Sequence, residues 1–565
     1  MRLFAAVIAW FVVACGPGGR DHGACDPNTM SCNGNELETC QDGTFQDSEM
    51  CPMACSPTLG CVMCVPNTAT CNGNVAHECN ADGTGYMDET CDPIEGETCD
   101  PTAGGCTGPC ALKTLGLSYI GCEYYPTITG NIVGNDFDFA LAISNTSASV
   151  ATVTIDGGAL TTAMTVMVPP NQLVIQKLPW QQALKMCNGA ETSLTTGGCQ
   201  GVDPVGPGLV VKGGYHLRSD NPITLYQFNS LEYSLPAQSL FSYSNDASLM
   251  LPTNVWRSSY FTAAWEGAAG INPSEMAITA MHDGTMVTIK TRGVTAAAAG
   301  VPALAVGTPA TVMMNSGDVI ELTSDGDFTG TQVDATASIQ VIGGHYCANV
   351  PDGVAACDHM EESMFGVDTL GSNYIVNAPA VTSIPNGKVE VVRIIATQAG
   401  TTLTYNPPQA GAPASIANAG DYVQILNTAA SFEITASAKV LVAQYMEGQD
   451  AGGNTGDPAM ALAVPVEQFR TSYLFHAPVT YDSNYVDVTA PSGANIMLDG
   501  TAVTLTPIGT TGFSLGRVKS LGTGPANDGS HSITGDLAFG ITVYGYGTYT
   551  SYWYPGGLNL TSVID

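Results

Sequence analysis

The sequence has few basic residues and few charged residues of either sign. Of its 565 residues, 16 are Lys or Arg and 50 are Asp or Glu, which gives a formal net charge of −34. A chain this acidic repels phosphate backbones, so nucleic acid is not expected as a partner. Charged residues make up only 12% of the chain. That is too few for coiled coils and helical bundles, which need abundant Glu, Lys and Arg.

Long hydrophobic runs and several common catalytic motifs are also absent. No segment reaches about eighteen uninterrupted apolar residues, so no transmembrane helix is predicted. The motifs G-x-x-x-x-G-K-[ST] and H-E-x-x-H, which mark phosphate-binding loops and zinc peptidases, do not occur. We therefore predict a protein that is not an enzyme.

The N-terminus is typical of an exported protein. Arg2 precedes an apolar run that is too short to span a bilayer, so residues 1–14 are predicted to be a secretory signal peptide. The run ends in Val-Val-Ala-Cys, which resembles the lipobox of bacterial lipoproteins. This resemblance implies a lipid anchor on Cys15, followed by a linker over residues 15–24. Because Gly16 stands where Asp commonly retains lipoproteins at the inner membrane, we expect an outer-membrane, cell-surface protein that contacts the membrane only through its lipid.

The cysteines are concentrated near the N-terminus. Setting Cys15 aside leaves an even number of the 19 cysteines, as a fully paired exported protein requires. Two Cys-rich repeats, residues 25–63 and 64–110, share their first two cysteine intervals, and each is too small for a conventional core. We expect three disulfides in each repeat, with fifteen pairings open. Residues 21–110 contain fifteen Asp or Glu and no Lys or Arg, a composition typical of an extended, self-repelling stalk.

Residues 111–560 are predicted to form a long all-β region. Gly and Pro supply 64 and 33 residues of the chain, and short alternating apolar and polar runs end at Gly or Asp-Gly turns. Strands of T-x-V-T type recur at 151–156, 285–290 and 401–406, with a looser relative at 494–499. These divide the region into about four related repeats, near 123–250, 251–380, 381–470 and 471–560. Four such units predict a tandem or composite β-sandwich-like fold, with a β-propeller-like assembly as the alternative.

Several ordered sequence blocks in this region resemble one known family. They are YQFN at 226–229, SNDASLMLP at 244–252, FTGT at 328–331, GGHYC at 343–347, CDHMEE at 357–362, GDPAM at 456–460, VPVEQF at 464–469 and YGY at 544–546. Together they resemble the N-terminal domain of IgGFc-binding proteins, a family that includes an animal mucus protein and many bacterial surface proteins. The similar region runs from about Cys122 to Gly557. The resemblance implies an all-β architecture and extracellular binding, and the Cys-rich repeats with the lipobox resemble surface lipoproteins of myxobacterial type.

One polar cluster has the residue types of a metal site. It comprises His345, Asp358, His359 and Glu361. If a disulfide closes this segment, two imidazoles and two carboxylates come together, which are ligands that Zn²⁺ prefers. The alternative is that the disulfide holds a loop whose polar groups satisfy backbone donors and acceptors.

Two further groups of residues have a functional and a structural interpretation. Asp318, Asp325 and Asp327 could bind Ca²⁺ on β loops, or they could form the Asp-Gly turns of hairpins. Tyr546 and Trp553 could contact a ligand, or they could pack inside a half-buried closing strand. Beyond these Zn²⁺ and Ca²⁺ hypotheses, no cofactor is predicted.

Proximity in the sequence predicts three further disulfides, Cys110–Cys122, Cys187–Cys199 and Cys347–Cys357. The combined prediction is an exported, lipid-anchored surface protein. Its acidic stalk would display a large β-rich domain that binds an unidentified extracellular protein or glycan, in the manner of an adhesin. One alternative is a secreted metal-dependent hydrolase of polysaccharide or protein centred on His345, His359 and Glu361. Another is a structural component of the envelope or matrix.

Overall fold

The computed structural model describes residues 25–187, 206–268, 272–382, 384, 387–451 and 454–563. They form two compact units. The Cys-rich unit contains the described residues up to Asp92 together with Glu97–Thr107, and the β unit contains Pro93–Gly96 and the chain from Gly108 onwards. Within these ranges, no helix has both the length and the apolar character needed to cross a membrane.

The Cys-rich unit consists of two copies of one small antiparallel arrangement. Its strands are β1 (Met30–Asn33), β2 (Glu36–Gln41), β3 (Thr44–Met50), β4 (Ala54–Ser56), β5 (Gly60–Val62), β6 (Ala69–Asn72), β7 (Val75–Cys79), β8 (Tyr86–Thr90), β9 (Thr98–Asp100) and β10 (Gly105–Thr107). Each copy has a three-stranded sheet, β1-β2-β3 or β6-β7-β8, and a two-stranded hairpin, β4-β5 or β9-β10.

Three disulfides hold each copy, with the same connectivity in both. They are Cys25–Cys40, Cys32–Cys55 and Cys51–Cys61 in the first copy, and Cys64–Cys79, Cys71–Cys99 and Cys91–Cys106 in the second. The first cysteine pairs with the third, the second with the fifth and the fourth with the sixth. The structure therefore selects one pairing pattern from those that the sequence left open, and the expected disulfide-rich region is confirmed.

The β unit contains four related β repeats. The stretch of chain of the first repeat has β11 (Gly121–Tyr124), β12 (Phe139–Asn145), β13 (Ala151–Gly157), β14 (Met164–Val168), β15 (Leu173–Leu178), β16 (Gly208–Val210), β17 (Tyr215–Asn229), β18 (Ser234–Leu235), β19 (Leu240–Phe241) and β20 (Asp246–Met250). Of these, β16 pairs with the sheet of the second repeat. The second has β21 (Arg257–Phe261), β22 (Ser274–Ala280), β23 (Thr285–Lys290), β24 (Ala310–Met314), β25 (Val319–Ser324), β26 (Gln332–Ala348) and β27 (Asp358–Ser363).

The other two repeats follow the same order of strands. The third has β28 (Asn373–Asn377), β29 (Glu390–Ala396), β30 (Thr401–Asn406), β31 (Ser415–Ile416), β32 (Tyr422–Thr428), β33 (Ser431–Ala436), β34 (Val440–Met446) and β35 (Met460–Leu462). The fourth has β36 (Arg470–His476), β37 (Ser483–Pro491), β38 (Ile496–Leu498), β39 (Thr501–Ala502), β40 (Leu505–Pro507), β41 (Phe513–Val518), β42 (Ser530–Gly547) and β43 (Thr550–Pro555).

Helical segments are short within the described ranges. The α-helix α1 spans Gln182–Lys185, and 3₁₀ turns lie at Pro93–Glu95, Thr253–Val255, Val367–Thr369, Gln449–Ala451 and Val466–Gln468. The predicted all-β class is thus confirmed.

Each repeat is organised around one long strand that pairs with different neighbours at its two ends. This strand is β17 in the first repeat, β26 in the second and β42 in the fourth. In the third repeat it is split into β33 and β34, so that two four-stranded sheets result, β28-β33-β30-β31 and β32-β29-β34-β35. All pairings of these long strands are antiparallel. The third repeat begins at β28, inside the range that the sequence pattern assigned to the second.

A buried tyrosine with the same two backbone hydrogen bonds recurs in the first strand of every repeat. The tyrosines are Tyr124, Tyr260, Tyr374 and Tyr473, all buried. Each hydroxyl accepts the backbone N–H of the residue three positions earlier, at 2.7–3.2 Å. It then donates to a carbonyl of the long strand, that of Ile223, Ile339, Val440 or Phe539. The repeats therefore share a hydrogen-bonding design as well as a strand order.

The four repeats form one body. Alternating T-x-V-T strands bury their aliphatic side chains, for example Val153 and Ile155 in β13. One hydrophobic cluster draws residues from all four repeats. The last strands of the repeats meet at the centre, where β20 packs beside β27 and β43, and β35 packs beside the same two strands. The β unit is therefore a composite of four repeats arranged around these last strands.

Candidate functional site

The central ring is held by the carboxylate of Asp246, the first residue of β20. Its Oδ1 accepts the backbone N–H groups of Ala247 at 2.9 Å and Trp553 at 3.1 Å. Its Oδ2 accepts those of Glu361 at 3.2 Å and Met460 at 3.3 Å. Glu361, Met460 and Trp553 lie in the last strands of the second, third and fourth repeats. One side chain therefore links all four repeats.

Two further aspartates link the repeats in the same way. Asp358 Oδ1 accepts the N–H of Asn245 at 2.8 Å, and its Oδ2 accepts the N–H of Ser551 and the hydroxyl of Thr550, both at 3.0 Å. Asp457 Oδ1 accepts the N–H of Ala356 at 3.1 Å. The centre is therefore a network of aspartates that bind backbone groups of neighbouring repeats.

Burial and hydrogen bonding act in opposite directions on these aspartates. Burial raises the pKa of Asp246 and Asp358 well above the ordinary carboxyl range, while their backbone N–H donors favour the charged form. Burial raises the pKa of Asp457 to about 6, against its N–H donors and the Lys388 ammonium. A buried N–H that loses its acceptor costs about 1–3 kcal/mol. Because backbone donors in one repeat bond to an aspartate of another, each aspartate makes the stability of one repeat depend on its neighbours.

A second polar cluster covers one face of the sheet in the second repeat. Glu275 of β22 lies opposite Gly344 of β26, which lies opposite Glu361 of β27. Glu321 of β25 lies opposite Ala277, on the same face. Gly344 has no side chain, so nothing projects from β26 between Glu275 and Glu361. A Cβ at this position would lie 2.0 Å from the Met360 carbonyl oxygen, so glycine is required there.

The first repeat covers this acidic face. Gly130 donates its N–H to Glu321 Oε1 at 2.8 Å, and the Thr129 hydroxyl donates to Glu361 Oε2 at 2.6 Å. The Gln227 amide donates to Glu361 Oε1 at 3.0 Å. The cluster is therefore enclosed between two repeats, and its glutamates are fully buried.

His359 lies between two of these glutamates. Its Nδ1 is 3.6 Å from Glu275 Oε1 and its Nε2 is 3.6 Å from Glu361 Oε2. Both Glu275 oxygens, Glu321 Oε2 and His359 Nδ1 have no hydrogen-bond partner within the described part of the chain. Burial, strengthened by repulsion from neighbouring carboxylates, raises the pKa of Glu275 and Glu321 well above that of an exposed glutamate. Glu275 and Glu321 therefore keep their protons at pH values where exposed glutamates release them.

The residues of the metal hypothesis do not all come together. His345 is fully buried, and both of its ring nitrogens face backbone groups: Nδ1 accepts the Cys347 N–H at 3.0 Å, and Nε2 lies 3.1 Å from the Glu266 carbonyl oxygen. Burial lowers the pKa of His345 to about 3, so its ring is neutral. Asp358 belongs to the central network instead, whereas His359 and Glu361 do converge. Within the described ranges, no group of three or more His, Cys, Asp or Glu is arranged to hold a metal ion.

The hydrolase hypothesis places His345 and His359 in an open cleft. His345, although only 1% exposed, lines a pocket of about 160 Å³ together with Glu266 and Asp352. His359 and Glu361 are fully buried and are not among the residues that line it, so the two imidazoles do not share an open cleft.

The aspartates of the calcium hypothesis have separate partners. Asp318 accepts backbone N–H groups of Lys212 and Asn315 at 3.0 and 2.9 Å, as in a turn. Asp327 forms an ion pair with Arg393 at 2.9 Å. Asp325 is exposed in the loop between them.

Tyr546 and Trp553 lie in the core. Both are 1% exposed and belong to a buried cluster with Tyr485 and Tyr544. The aromatic rings are therefore not available to stack on a ligand, and the closing strand β43 is a packing element.

Two of the disulfides suggested by proximity are present, Cys110–Cys122 and Cys347–Cys357. The second one closes the loop that connects β26 to β27. The suggested pair Cys187–Cys199 involves Cys199, and the lipidation prediction involves Cys15. Both of these residues lie outside the described ranges.

Sequence reasoning missed the most connected residues. Asp246 stands inside the SNDASLMLP block, but nothing in that block shows that its carboxylate binds three other strands. Glu275 and Glu321 give a weaker signal, since each is the one charged residue of its strand. The segment GFSLG at 512–516 also matches G-x-S-x-G, but Ser514 lies buried inside β41 and bonds to Ser492. It is not at the strand-to-helix turn that such a nucleophile needs.

Comparison with known proteins identifies the β unit. A profile of the family described as IgGFc binding protein matches residues 246–545, more than half of the chain. A human protein named IgGFc-binding protein is 28% identical over 329 residues, which cover 56% of this chain and 6% of that protein. The matched region begins at Asp246, includes the acidic face and ends at Gly545 in β42. The chain belongs to the IgGFc-binding protein family.

Proposed function

We propose that this chain is an exported, lipid-anchored cell-surface protein whose β unit binds an extracellular protein ligand and supports adhesion. The observation that carries the proposal is the family match over residues 246–545, together with the name of the human relative. The rigid, cross-linked centre of the β unit supports it as well. Such a centre holds the outer loops in fixed positions, and binding residues are commonly found on loops that a rigid scaffold positions.

The disulfides support export. Eight cysteine pairs are joined within the described ranges, six in the Cys-rich unit and two in the β unit. Structural disulfides of this density form in oxidising compartments. The signal peptide and the Cys15 lipobox then predict attachment to the outer membrane.

A groove between the second and third repeats is the ligand contact that we propose. Its volume is about 430 Å³, within the range of ligand-binding clefts. Arg257, Lys439 and Asp368 line it together with the exposed Gln398, so its charged side chains are two cations and one carboxylate. The Arg257 guanidinium is held by Asp368 at 2.8 and 3.0 Å, which fixes the wall of the groove.

Adhesion is tested with cells and with soluble protein. Cells that lack the chain should attach less to protein-coated surfaces, and soluble residues 21–565 should block attachment of normal cells. Gln398→Trp, which fills the groove, should abolish this block, whereas Thr404→Trp on the exposed face of β30 should not. Unchanged attachment after deletion, with no block by the soluble protein, would contradict the proposal.

The lipid anchor is tested separately by Cys15→Ala. This variant should lose labelling by a radioactive fatty acid and should appear in the soluble fraction. Immunoglobulin Fc, the ligand in the name of the human relative, is the first purified ligand to assay, with Fab fragments as the control.

A further inference from the structure

A pocket of about 130 Å³ lies where the first repeat meets the fourth. The first repeat lines it with Ser144 of β12 and with residues 171–173, which lead into β15. The fourth repeat lines it with two residues of β36, with Asp499 and with residues of the segment 525–532. Pockets that hold whole cofactors measure about 300–1,000 Å³, so this one suits a single side chain or a group of that size.

Two hydroxyl groups of this pocket lack a hydrogen-bond partner. Ser144 is 1% exposed, and within the described part of the chain neither its Oγ nor the Oγ of Ser530 has a partner. Side chains two positions apart on a strand share a face, and Ala142 belongs to the same hydrophobic cluster as Phe475 of β36. Ser144 therefore faces the fourth repeat. Buried hydroxyls are almost always hydrogen-bonded, so these two indicate a polar group that enters the pocket.

The pocket offers carboxylates and no long basic side chain that would hold an anion. Its titratable residues are Asp499, Asp528 and His531, and the described residues that line it include no Lys or Arg. The His531 ring is already engaged, since Nδ1 lies 2.7 Å from Asp499 Oδ2 and Nε2 lies 3.1 Å from the Gly522 carbonyl oxygen. Asp528 is exposed, and its Oδ1 accepts the Ser530 N–H at 2.9 Å, which places this carboxylate beside Ser530. The pocket therefore favours a cation over an anion.

Apolar side chains form the rest of the pocket. Leu173 of the first repeat and Leu474 of the fourth are half-buried there, and Pro525 is exposed. Phe475 is fully buried, and its ring stacks on His531 with centroids 5.2 Å apart, so this wall is held in place. A methylene chain packs well on such a surface, while a terminal ammonium supplies three N–H donors and no acceptor. The pocket therefore matches an aliphatic chain that ends in an ammonium, since a carboxylate and two hydroxyl oxygens can all accept its hydrogen bonds.

We propose that this pocket binds an alkylammonium group. The acceptors for its N–H groups are the Asp528 carboxylate and the hydroxyls of Ser144 and Ser530, and its methylene chain lies against Leu173 and Leu474. A lysine side chain of a partner protein and a free aliphatic diamine both carry this group. The pocket shares no residue with the groove between the second and third repeats, so the failure of either proposal leaves the other standing.

Ligand-observed NMR titrations of soluble residues 21–565 test the proposal and separate the two sources. The probes are Nα-acetyl-lysine amide and 1,5-diaminopentane. The control is Nα-acetyl-norleucine amide, which has the same aliphatic chain without the ammonium, and methyl α-glucoside tests whether a sugar occupies the pocket instead. We expect a dissociation constant of about 1 mM for at least one amine, about tenfold weaker binding of the norleucine probe, and weaker binding of the amine when salt rises from 50 to 500 mM. Binding of the lysine probe identifies a protein side chain as a competent source, and binding of the diamine alone identifies a free amine.

Two variants remove the proposed acceptors. D528N removes the charge at constant size and S144A removes the buried hydroxyl, and each should weaken binding of the amine about tenfold. The matched control is D536N, which neutralises an exposed aspartate of the same repeat that does not line the pocket, and it should leave binding unchanged. All three variants should keep the parent's circular dichroism.

The proposal is overturned if neither amine binds, or if the norleucine probe or methyl α-glucoside binds as tightly as the amines. It is equally overturned if D528N and S144A bind the amine as the parent does, or if D536N weakens binding as much as D528N.

Discussion

Replacing Asp246 with Asn tests whether one carboxylate holds the four repeats together. The variant keeps the size of the side chain but exchanges one acceptor oxygen for an NH₂ donor. Two of the four backbone N–H groups that Asp246 accepts then lose their acceptor. Each buried N–H left without an acceptor costs about 1–3 kcal/mol, which sums to about 2–6 kcal/mol. Because the variant no longer buries a charge, we expect the lower half of that range, about 2–4 kcal/mol.

Tryptophan fluorescence during urea unfolding isolates this effect. In residues 21–565 the four tryptophans, Trp180, Trp256, Trp265 and Trp553, all lie in the β unit, and the Cys-rich unit has none. The signal therefore follows the β unit alone. D246N should shift the midpoint to lower urea without changing the slope of the transition.

The control is D536N on the protein surface. Asp536 accepts the backbone N–H of Asn495 at 2.8 Å and its amide at 2.7 Å, but solvent can replace these bonds. We expect a change within about 0.5 kcal/mol. A D246N protein as stable as the parent, or a D536N protein that loses as much stability as D246N, would refute the role assigned to the central carboxylate.

Three further predictions concern pH, disulfides and the repeated tyrosine. Burial raises the pKa of Glu390 to about 8, so the folded state keeps a proton that the unfolded chain releases near pH 4.5. Its contribution is therefore most favourable below pH 4.5 and is lost as the pH rises to 8. Between pH 6.5 and 8 the parent should lose about 2 kcal/mol more unfolding free energy than E390Q, as measured by urea titration at each pH. Equal losses in both proteins would contradict this. Replacing Cys347 and Cys357 with Ser should lower the free energy of unfolding of the β unit by about 2–4 kcal/mol, because the bond closes a ten-residue separation. As a check, treating the parent with a reducing thiol reagent should lower its free energy of unfolding by a similar amount. Tyr374→Phe should cost about 1–3 kcal/mol, since the Gly371 N–H and the Val440 carbonyl lose their shared hydroxyl. Y124F, Y260F and Y473F should fall in the same range, and a neutral effect at all four positions would show that the repeated tyrosine contributes packing alone.

The all-β class and the internal repeats could be predicted from the sequence because both are local signals. In β13, Val153 and Ile155 point to the core and Thr152 and Thr154 to the other face, as the alternation requires. Cysteine spacing likewise revealed two copies of one small module. Its connectivity could not be predicted, since spacing constrains loop lengths but not which sulfur atoms meet.

The candidate site could be predicted only in part. The CDHMEE block points to His359 and Glu361, which do converge. Asp358 of the same block and His345 of the GGHYC block bond to backbone groups elsewhere. Glu275 and Glu321 join the cluster through sheet register, with Gly344 between two of the glutamates. Register is a property of paired strands, so no single segment contains this information.

The sequence by itself determined the strand content, the disulfide-rich N-terminal region, the number of related repeats and the membership of a family. These follow from periodicity, composition and short sequence blocks, all of which are local features of one chain. Only the tertiary structure decided that the four last strands close a ring and that Asp246 binds the backbone of three of them. It also decided that a set of acids is buried and proton-retaining. The sequence shows an Asp or Glu in the same way whether its carboxylate is exposed to water or enclosed by another repeat. The pKa of that carboxylate is set by the environment, which only the tertiary structure defines.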